Sequence, residues 1–389
     1  MNIVLALLIF SLLVIIHELG HFLLARLNGV EVTEFSIGMG PRLVTLVKTD
    51  NGLKIQFFAS TMFCENFGPW KGKTKYSIKL LPFGGSCIML GEDDVVDEDR
   101  AFCKKSVYQR MSIVFAGPFF NFVLAFILAI VMNVVSGYDR PIVTSVESGM
   151  PMEAAGVRPG DEIVKINDTK IVLDREIGSY FIFNPIREGD KYEITYKRDG
   201  EKYTVNVEPK LAETLYVSDG FMHGIIEPET KKATSYRLGF GYGSPRQKGT
   251  TLQTLKYSLY EVKYWIDTTI KSIGMIFTGK ISKDDISGPV GIVSTVGDVV
   301  QKSSVFGLSS VILSLISFAI LLSANLGVMN LLPIPALDGG RLFFQIVEII
   351  RGKPISPEKE GIITMIGFVL LMLLMVFIMF NDIQKLIFK

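Results

Sequence analysis

The sequence predicts an α-helical membrane protein with about four transmembrane helices and a separate β-rich domain. Three observations favour this fold class. Of the 389 residues, 49% are hydrophobic and only 20% are charged, which is more apolar than an ordinary soluble chain. Four apolar segments are long enough to cross a hydrocarbon core of roughly 30 Å. Between the second and the third, apolar and polar residues alternate as in strands.

The predicted membrane spans are residues 2–27, 112–135, 306–332 and 361–380. The first has no basic residue before its apolar run and no small-residue cleavage site after it, which favours a retained span over a signal peptide. The formal net charge of +1 gives no overall case for a nucleic-acid partner. The lipid bilayer is therefore the first partner that the sequence predicts.

Loop charge predicts the orientation of these spans. The loops 28–107 and 339–360 are rich in Lys and Arg, so the positive-inside rule places both in the cytoplasm. We therefore expect a multi-pass protein of the cell's inner (plasma) membrane, with both termini and residues 138–305 extracytoplasmic. The acidic tract 91–100 is interpreted as a solvated cytoplasmic face.

Turn and periodicity signals divide the chain into four parts. These are a first membrane half at 1–137, a β-rich domain at 138–210, an extracytoplasmic linker at 211–305 and a second membrane half at 306–389. In the β-rich domain, an Asp-Gly turn between two alternating runs in KYEITYKRDGEKYTVNVEPK predicts a hairpin. In the linker, residues 251–277 predict an amphipathic helix, lying either near the membrane surface or against the β-rich domain.

A motif in the β-rich domain resembles the core of a PDZ domain. The residues that carry the resemblance are Ala154, Ala155, Gly156, Gly160, Asp161, Ile163, Ile166 and Asn167. It implies a PDZ-like domain that binds an extended peptide or a C-terminus by adding a strand to a sheet edge. A small β domain that only caps the membrane site is the open alternative.

The first span contains HELGH, with His17, Glu18 and His21 in an otherwise apolar run. Positions i and i+4 share a face of a helix, so both imidazoles can bind one ion. Glu18 lies beside them and could polarise a water on that ion, whose pKa zinc lowers to near 7. Ionisable residues inside a membrane usually mark functional sites. The motif therefore predicts a Zn²⁺ site rather than a helix end that reaches the headgroups.

A third ligand must come from elsewhere, because catalytic zinc usually has three protein ligands and one open position. Asp338, in NLLPIPALDGGR at the cytoplasmic end of the third span, is a carboxylate at the matching depth. Pro333 and Pro335 break the helix there, and irregular backbone at membrane depth must be buried or line a cavity. Asn330 offers an amide donor that could steady an oxyanion.

Together these features resemble the site-2 protease family of intramembrane zinc metalloproteases, and most closely the bacterial regulator of sigma-E protease branch. Shorter matches are FSIGMGP at 35–41, LPFGG at 81–85, AGPFFN at 116–121 and SGPVG at 287–291. The resemblance implies zinc on His17, His21 and Asp338. It also implies Glu18 as general base and Asn330 as an aid to substrate or transition state.

The resemblance further implies that the chain cuts single-pass membrane proteins within their transmembrane segments, near the cytoplasmic side. Anti-sigma factors and remnant signal peptides are the substrates it suggests, as in regulated intramembrane proteolysis. It implies that a β-rich element within 35–90 lies partly in the membrane and offers an edge strand to the unwound substrate. Two other classes remain open: a non-catalytic membrane adaptor that uses the PDZ-like domain, and a transporter, which the lack of an inverted repeat disfavours.

Overall fold

The structure is a computed structural model that describes residues 2–50, 52–66, 70, 72–92, 94, 96–217, 230–280 and 288–387. Ser287 of the SGPVG motif lies outside these residues. Contacts divide the chain into two compact units. We call Met1–Met132 with Trp265–Lys389 the helical unit, and Asn133–Tyr264 the β-rich unit.

The described secondary structure comprises helices and strands in alternating groups. The helices are α1 (Asn2–Leu27), α2 (Thr61–Asn66), α3 (Val107–Ser136), α4 (Pro151–Ala154), α5 (Asp174–Phe183), α6 (Thr251–Phe277), α7 (Pro289–Ser304), α8 (Leu308–Asn330), α9 (Asp338–Arg351) and α10 (Pro357–Ile387). The strands are β1 (Val32–Thr49), β2 (Gly52–Phe57), β3 (Lys75–Met89), β4 (Val143–Val146), β5 (Glu162–Ile166), β6 (Thr169–Lys170), β7 (Tyr192–Arg198), β8 (Glu201–Val207), β9 (Lys210–Val217), β10 (Thr230–Arg237) and β11 (Phe240–Tyr242).

Helices α1, α3, α8 and α10 are long and apolar enough to cross a membrane, which confirms the prediction of four such helices. Helices α3 and α10 extend beyond both ends of their predicted apolar windows, because helical hydrogen bonding continues into polar sequence, whereas α1 matches its window and α8 lies within the predicted 306–332. In α10 the first turn carries Glu358 and Glu360 and the last turn carries Lys385. The acidic residues thus lie at the positive end of the helix dipole and the basic residue at its negative end, which stabilises the helix.

Strands β1, β2 and β3 form an antiparallel sheet in the order β2-β1-β3. The first half of β1 lies between the two ends of β3, since Phe35 pairs with both Tyr76 and Cys87. Strand β1 bends at Gly38, whose φ of 86° lies in the left-handed region that favours glycine. A Cβ there would also collide with the carbonyl of Leu81. The predicted β-rich element is therefore present, and its register depends on this glycine.

The end of this sheet that contains Val32 and Met89 packs against α1 and α3. Buried side chains from all of them form one apolar cluster, and its members include Ala25, Val32, Cys87, Met89 and Ile113. The end of β3 is thereby fixed against the HELGH segment of α1. The residues at the end of β3 also line the candidate site.

In the β-rich unit a four-stranded sheet has the order β6-β5-β7-β8, and the predicted hairpin is the pair β7 and β8. The PDZ-like signature residues have structural roles here. Ile163 and Ile166 are fully buried in the core. The buried carboxylate of Asp161 accepts hydrogen bonds from Arg198 at 2.7 and 2.6 Å. The signature thus fixes the turn and sheet whether or not a peptide binds.

The core of this domain includes residues beyond the predicted range 138–210. Strand β11, at 240–242, pairs with β4, and Leu238 lies 3% exposed in the same core. Strands β9 and β10, which lie between β8 and β11 in the sequence, form a further antiparallel pair. The Gly-rich sequence around β11 has no alternation, which is why its strand could not be read from the sequence alone.

Helix α6 packs on the β-rich unit over its first half. Arg175 of α5 donates hydrogen bonds to Glu261 of α6 at 2.7 Å and to Asp139 at 2.6 Å. Ser179 and Tyr264 join the same two helices through their hydroxyls at 2.8 Å. Of the two placements predicted for residues 251–277, the structure therefore supports contact with the β-rich unit for the residues up to 264.

Candidate metal centre

His17 and His21 lie one turn apart on the same face of α1, as their spacing predicts. Their Nε2 atoms are 3.2 Å apart, and the rings meet edge to face. Both residues are buried, at 8% and 9% exposure. Two imidazole nitrogens are therefore directed at one point in an apolar environment.

Asp338 is the first residue of α9 and meets the histidines from the opposite end of the sequence. Its Oδ2 atom lies 3.1 Å from Nε2 of His17 and 3.5 Å from Nε2 of His21. That oxygen is buried and accepts no hydrogen bond within the part of the chain that the structure describes. An orphaned carboxylate oxygen beside two imidazole nitrogens is what a cation site requires.

The donor set fits zinc. Two imidazole nitrogens and one carboxylate oxygen are a known catalytic set, which leaves a fourth position open. Ligands about 2.1 Å from a tetrahedral ion are roughly 3.4 Å from one another. The separations of 3.1, 3.2 and 3.5 Å among the three atoms agree with that spacing.

Glycines allow the elements that carry these ligands to approach closely. A Cβ on Gly117 of α3 would lie 2.8 Å from Cε1 of His17 and 2.6 Å from Cε1 of His21. A Cβ on Gly20 of α1 would lie 2.8 Å from the carbonyl carbon of Ala116. Both distances are too short for a real side chain, so α1 and α3 can pack this way only with glycine at these positions.

The far side of each imidazole is held by α3. Nδ1 of His21 lies 2.9 Å from the carbonyl oxygen of Ile113 and donates to it. This bond leaves the lone pair on Nε2 for a metal. Nδ1 of His17 lies 3.0 Å from the amide nitrogen of Asn121. Asn121 belongs to the AGPFFN motif, but its contact with His17 was not predicted.

A cavity of about 240 Å³ opens at the three ligand atoms. It is lined by His17, Glu18, His21, Ser86, Cys87, Met89, Glu92, Val114, Asp338 and Arg341. Glu18 accepts a hydrogen bond from the backbone N–H of Cys87, and a Cβ added to Gly85 would lie 3.4 Å from its Cγ. Strand β3 thus positions the carboxylate that HELGH places beside the candidate metal ligands.

Asn330 does not line this cavity. It is the last residue of α8, directly before the loop that leads to Asp338. The structure therefore brings together His17, Glu18, His21 and Asp338 in one cavity, and Asn330 is not among the residues that line it.

The interpretation of 91–100 as a solvated face is wrong for Glu92. Its carboxylate pairs with Arg341, one turn after Asp338, and its side chain is only 15% exposed. Its second oxygen accepts the backbone N–H of Met89 at 3.3 Å. Glu92 therefore joins the end of β3 to the start of α9 at the edge of the cavity. The local charge run gave no sign of a partner so distant in sequence.

Comparison with known proteins shows the family to which this chain belongs. The profile of peptidase family M50 matches residues 5–65 and 64–374. A provisionally named zinc metalloprotease of Clostridium acetobutylicum is 36% identical, over 98% of this chain and 97% of its own length. Another from Clostridium perfringens is 33% identical over 98% of both chains. The regulator of sigma-W protease RasP of Bacillus subtilis is 29% identical over 97% of both.

Proposed function

Since the chain belongs to peptidase family M50 and is a zinc metalloprotease with four apolar helices, we propose that it hydrolyses peptide bonds inside transmembrane segments of single-pass membrane proteins. The observation that carries this proposal is the meeting of His17, His21 and Asp338 beside Glu18 in one cavity. The ligand atoms lie within 4.8 Å of one another. We assign zinc ligation to the first three and general base catalysis to Glu18.

The proposed chemistry is carried by Glu18 and by the shape of the cavity. Zinc, when bound, supplies a Lewis acid that polarises a carbonyl and makes water acidic near neutral pH. Glu18 accepts the proton from the attacking water and then delivers it to the leaving amine. The N–H of Cys87 holds the Glu18 carboxylate in place during both transfers. Asn330 is proposed to donate to the substrate backbone, because it ends α8 directly before the irregular loop.

The substrate helix must unwind locally, since its carbonyls are otherwise bonded to N–H groups four residues on. We propose that the β1–β3 sheet receives the unwound segment by strand addition. All six residues of the outer strand β2 are exposed, including Leu53, Ile55 and Phe57. At the tip of β1 and β3, Met39 and Leu80 are also exposed. Apolar side chains on an open sheet edge support a position partly within the bilayer.

Sidedness and substrates follow from the same proposal. The basic loops 28–107 and 339–360 support a cytoplasmic position for the metal centre, with the β-rich unit extracytoplasmic. Anti-sigma factors and remnant signal peptides are the proposed substrates. The name of the Bacillus subtilis relative as a regulator of sigma-W supports the first of these.

We further propose that the β-rich unit is a PDZ-like domain and that it binds a peptide. Strand β11 pairs with β4 on one edge, and no other described strand pairs with it. A peptide could add there. Binding of C-terminal peptides to the protein, measured by fluorescence anisotropy, tests this. Equal binding after Gly241→Pro, which removes a backbone donor of β11, would locate any binding elsewhere.

The catalytic proposal is tested with purified protein in lipid vesicles and a single-span substrate. Wild type should cleave, lose activity with a zinc chelator and regain it with added zinc. Glu18→Gln should keep one zinc per chain but cleave at least about 100-fold more slowly, because it removes only the proton acceptor. His17→Ala should lose zinc as well. Normal cleavage by Glu18→Gln would refute the assignment, and zinc binding without any cleavage would favour the adaptor alternative.

A further inference from the structure

Asn121 carries an unexplained polar atom next to the metal centre. Its side chain is entirely buried on α3. The amide nitrogen lies 3.0 Å from Nδ1 of His17. The amide oxygen is buried and has no hydrogen-bond partner among the described residues. Leaving a buried amide oxygen unpaired costs about 1–3 kcal/mol, so this orientation is unfavourable.

The orientation of the Asn121 amide determines which nitrogen of His17 carries the proton. If the amide nitrogen donates to Nδ1, a neutral ring carries its proton on Nε2. Nε2 is the atom that faces Asp338 at 3.1 Å and would have to ligate a metal. A protonated Nε2 has no lone pair for that purpose. His21 shows the opposite arrangement, because its Nδ1 donates to the carbonyl of Ile113.

A rotation of the Asn121 amide by half a turn resolves both difficulties. The two ends of an amide have nearly the same shape, so the exchange needs no other movement. The oxygen then faces Nδ1 of His17 at hydrogen-bond distance and accepts its proton. We propose that Asn121 is the positioning residue of His17, whose Nδ1–H it accepts so that Nε2 is free for zinc. This inference rests on the zinc ligation by His17 proposed above.

Helix α8 fixes Asn121 for this role. The buried hydroxyl of Ser323 donates to the backbone carbonyl of Asn121 at 2.7 Å. At the next residue, the ring of Phe122 covers Gly327, where a Cβ would lie 2.6 Å from the ring. The backbone of α3 is therefore held at this turn. A fixed acceptor behind a ligating imidazole sets both its tautomer and the direction of its lone pair.

Two substitutions separate an acceptor from a donor at this position. Asn121→Asp keeps an oxygen acceptor and removes the amide donor, whereas Asn121→Leu has similar size and neither group. We measure zinc affinity of the detergent-solubilised full-length chain by competition with a chelator of known affinity. Asn121→Leu should bind zinc about 10- to 100-fold more weakly, which is typical when such a partner is lost. Asn121→Asp should remain within about threefold of wild type, or bind more tightly.

Asn133→Leu is the matched control. Asn133 is also buried on α3, roughly three turns further along, and donates to Ser258 at 3.0 Å. Its loss should leave zinc affinity unchanged. If Asn121→Asp weakens binding as much as Asn121→Leu, or if Asn133→Leu weakens it equally, the inference is overturned. Should Asn121→Leu fail to fold, as judged by thermal unfolding, the affinity of Asn121→Asp alone decides.

The same assay distinguishes this inference from the proposed function. His17→Ala that binds zinc like wild type would refute ligation by His17 itself. His17→Ala that loses zinc, together with Asn121→Leu that keeps it, would refute only the role of Asn121.

Discussion

Gly117 is the position at which the smallest substitution should disturb the metal centre most. In Gly117→Ala the new methyl group would lie 2.6 Å from Cε1 of His21 and 2.8 Å from Cε1 of His17. Real Cβ atoms essentially never approach a neighbour below 3.0 Å. Because the helix backbone carries the methyl group, the imidazoles have to give way.

The size of the effect follows from these distances. The His21 ring must move by more than about 0.4 Å, because its Nε2 atom lies even closer to the added methyl group than Cε1 does, whereas metal–ligand distances tolerate about 0.2 Å. Both histidines are displaced away from α3, which also stretches their bonds to Ile113 and Asn121. We therefore expect zinc binding to weaken at least 10- to 100-fold, equivalent to about 1.4–2.7 kcal/mol. The helix itself should not suffer, since Ala favours a helix over Gly by about 1 kcal/mol.

The assay is zinc content after purification, followed by chelator competition and cleavage of a single-span substrate. Gly361→Ala is the matched control, because Gly361 lies in another apolar helix, α10, and among the described residues nothing beyond its own turn of helix lies within 4 Å of the added Cβ. That variant should bind zinc and cleave like wild type. If Gly117→Ala binds zinc within about twofold of wild type, the histidines can move aside without loss of affinity, and the close contact with Gly117 does not fix their position.

Three further predictions concern stability, each measured by thermal unfolding. Arg175→Ala leaves the buried carboxylates of Asp139 and Glu261 without this cation and should destabilise the β-rich unit by about 3–5 kcal/mol; an unchanged Tm would refute the role of Arg175. Burial and the nearby Asp139 raise the pKa of Asp174 to about 6. The folded protein therefore holds this proton more tightly than the unfolded chain does, and its stability falls as the pH rises from about 4 through 6. Asp174→Asn should thus stabilise at pH 8, by about 1 kcal/mol after allowance for its partial exposure, and not at pH 4. Asp382→Ala removes the acceptor for Gly288 N–H at 3.0 Å and should cost about 1–2 kcal/mol, with Asp382→Asn between it and wild type.

Local patterns predicted the parts of the site that depend on short sequence distances. HELGH places two imidazoles on one face because helix geometry fixes the spacing of i and i+4. Asp338 could be proposed because the prolines and glycines around it predict a break at the depth of that motif. The actual meeting of the ligands depends on Gly20 and Gly117, whose role is visible only when α1 and α3 are packed. Sequence shows such glycines but not what they touch.

The missed features all depend on partners far apart in the chain. Glu92 was assigned to a solvated tract because its neighbours are acidic, while its partner Arg341 is distant in sequence. Strand β11 was missed because its pairing with β4 gives it strand geometry that its Gly-rich sequence does not suggest. For Asn121 a signal existed. A buried amide between Phe120 and Phe122 in an apolar helix must find a polar partner, and few residues at that depth can supply one.

The proposed third ligand, Asp338, follows a loop whose conformation is itself strained. Ala336 has a φ of 78°, an unfavourable left-handed conformation for a residue with a Cβ, which costs about 1–3 kcal/mol. The surrounding packing outweighs that cost, because Gly340 lies against Ile334 so closely that a Cβ would fall 2.5 Å from its carbonyl oxygen. Asp338 therefore starts α9 at one fixed place, as Gly117 fixes the histidines. When ligands are held in this way, little conformational entropy remains to be lost on binding, so more of the ligand–zinc interaction is expressed as affinity.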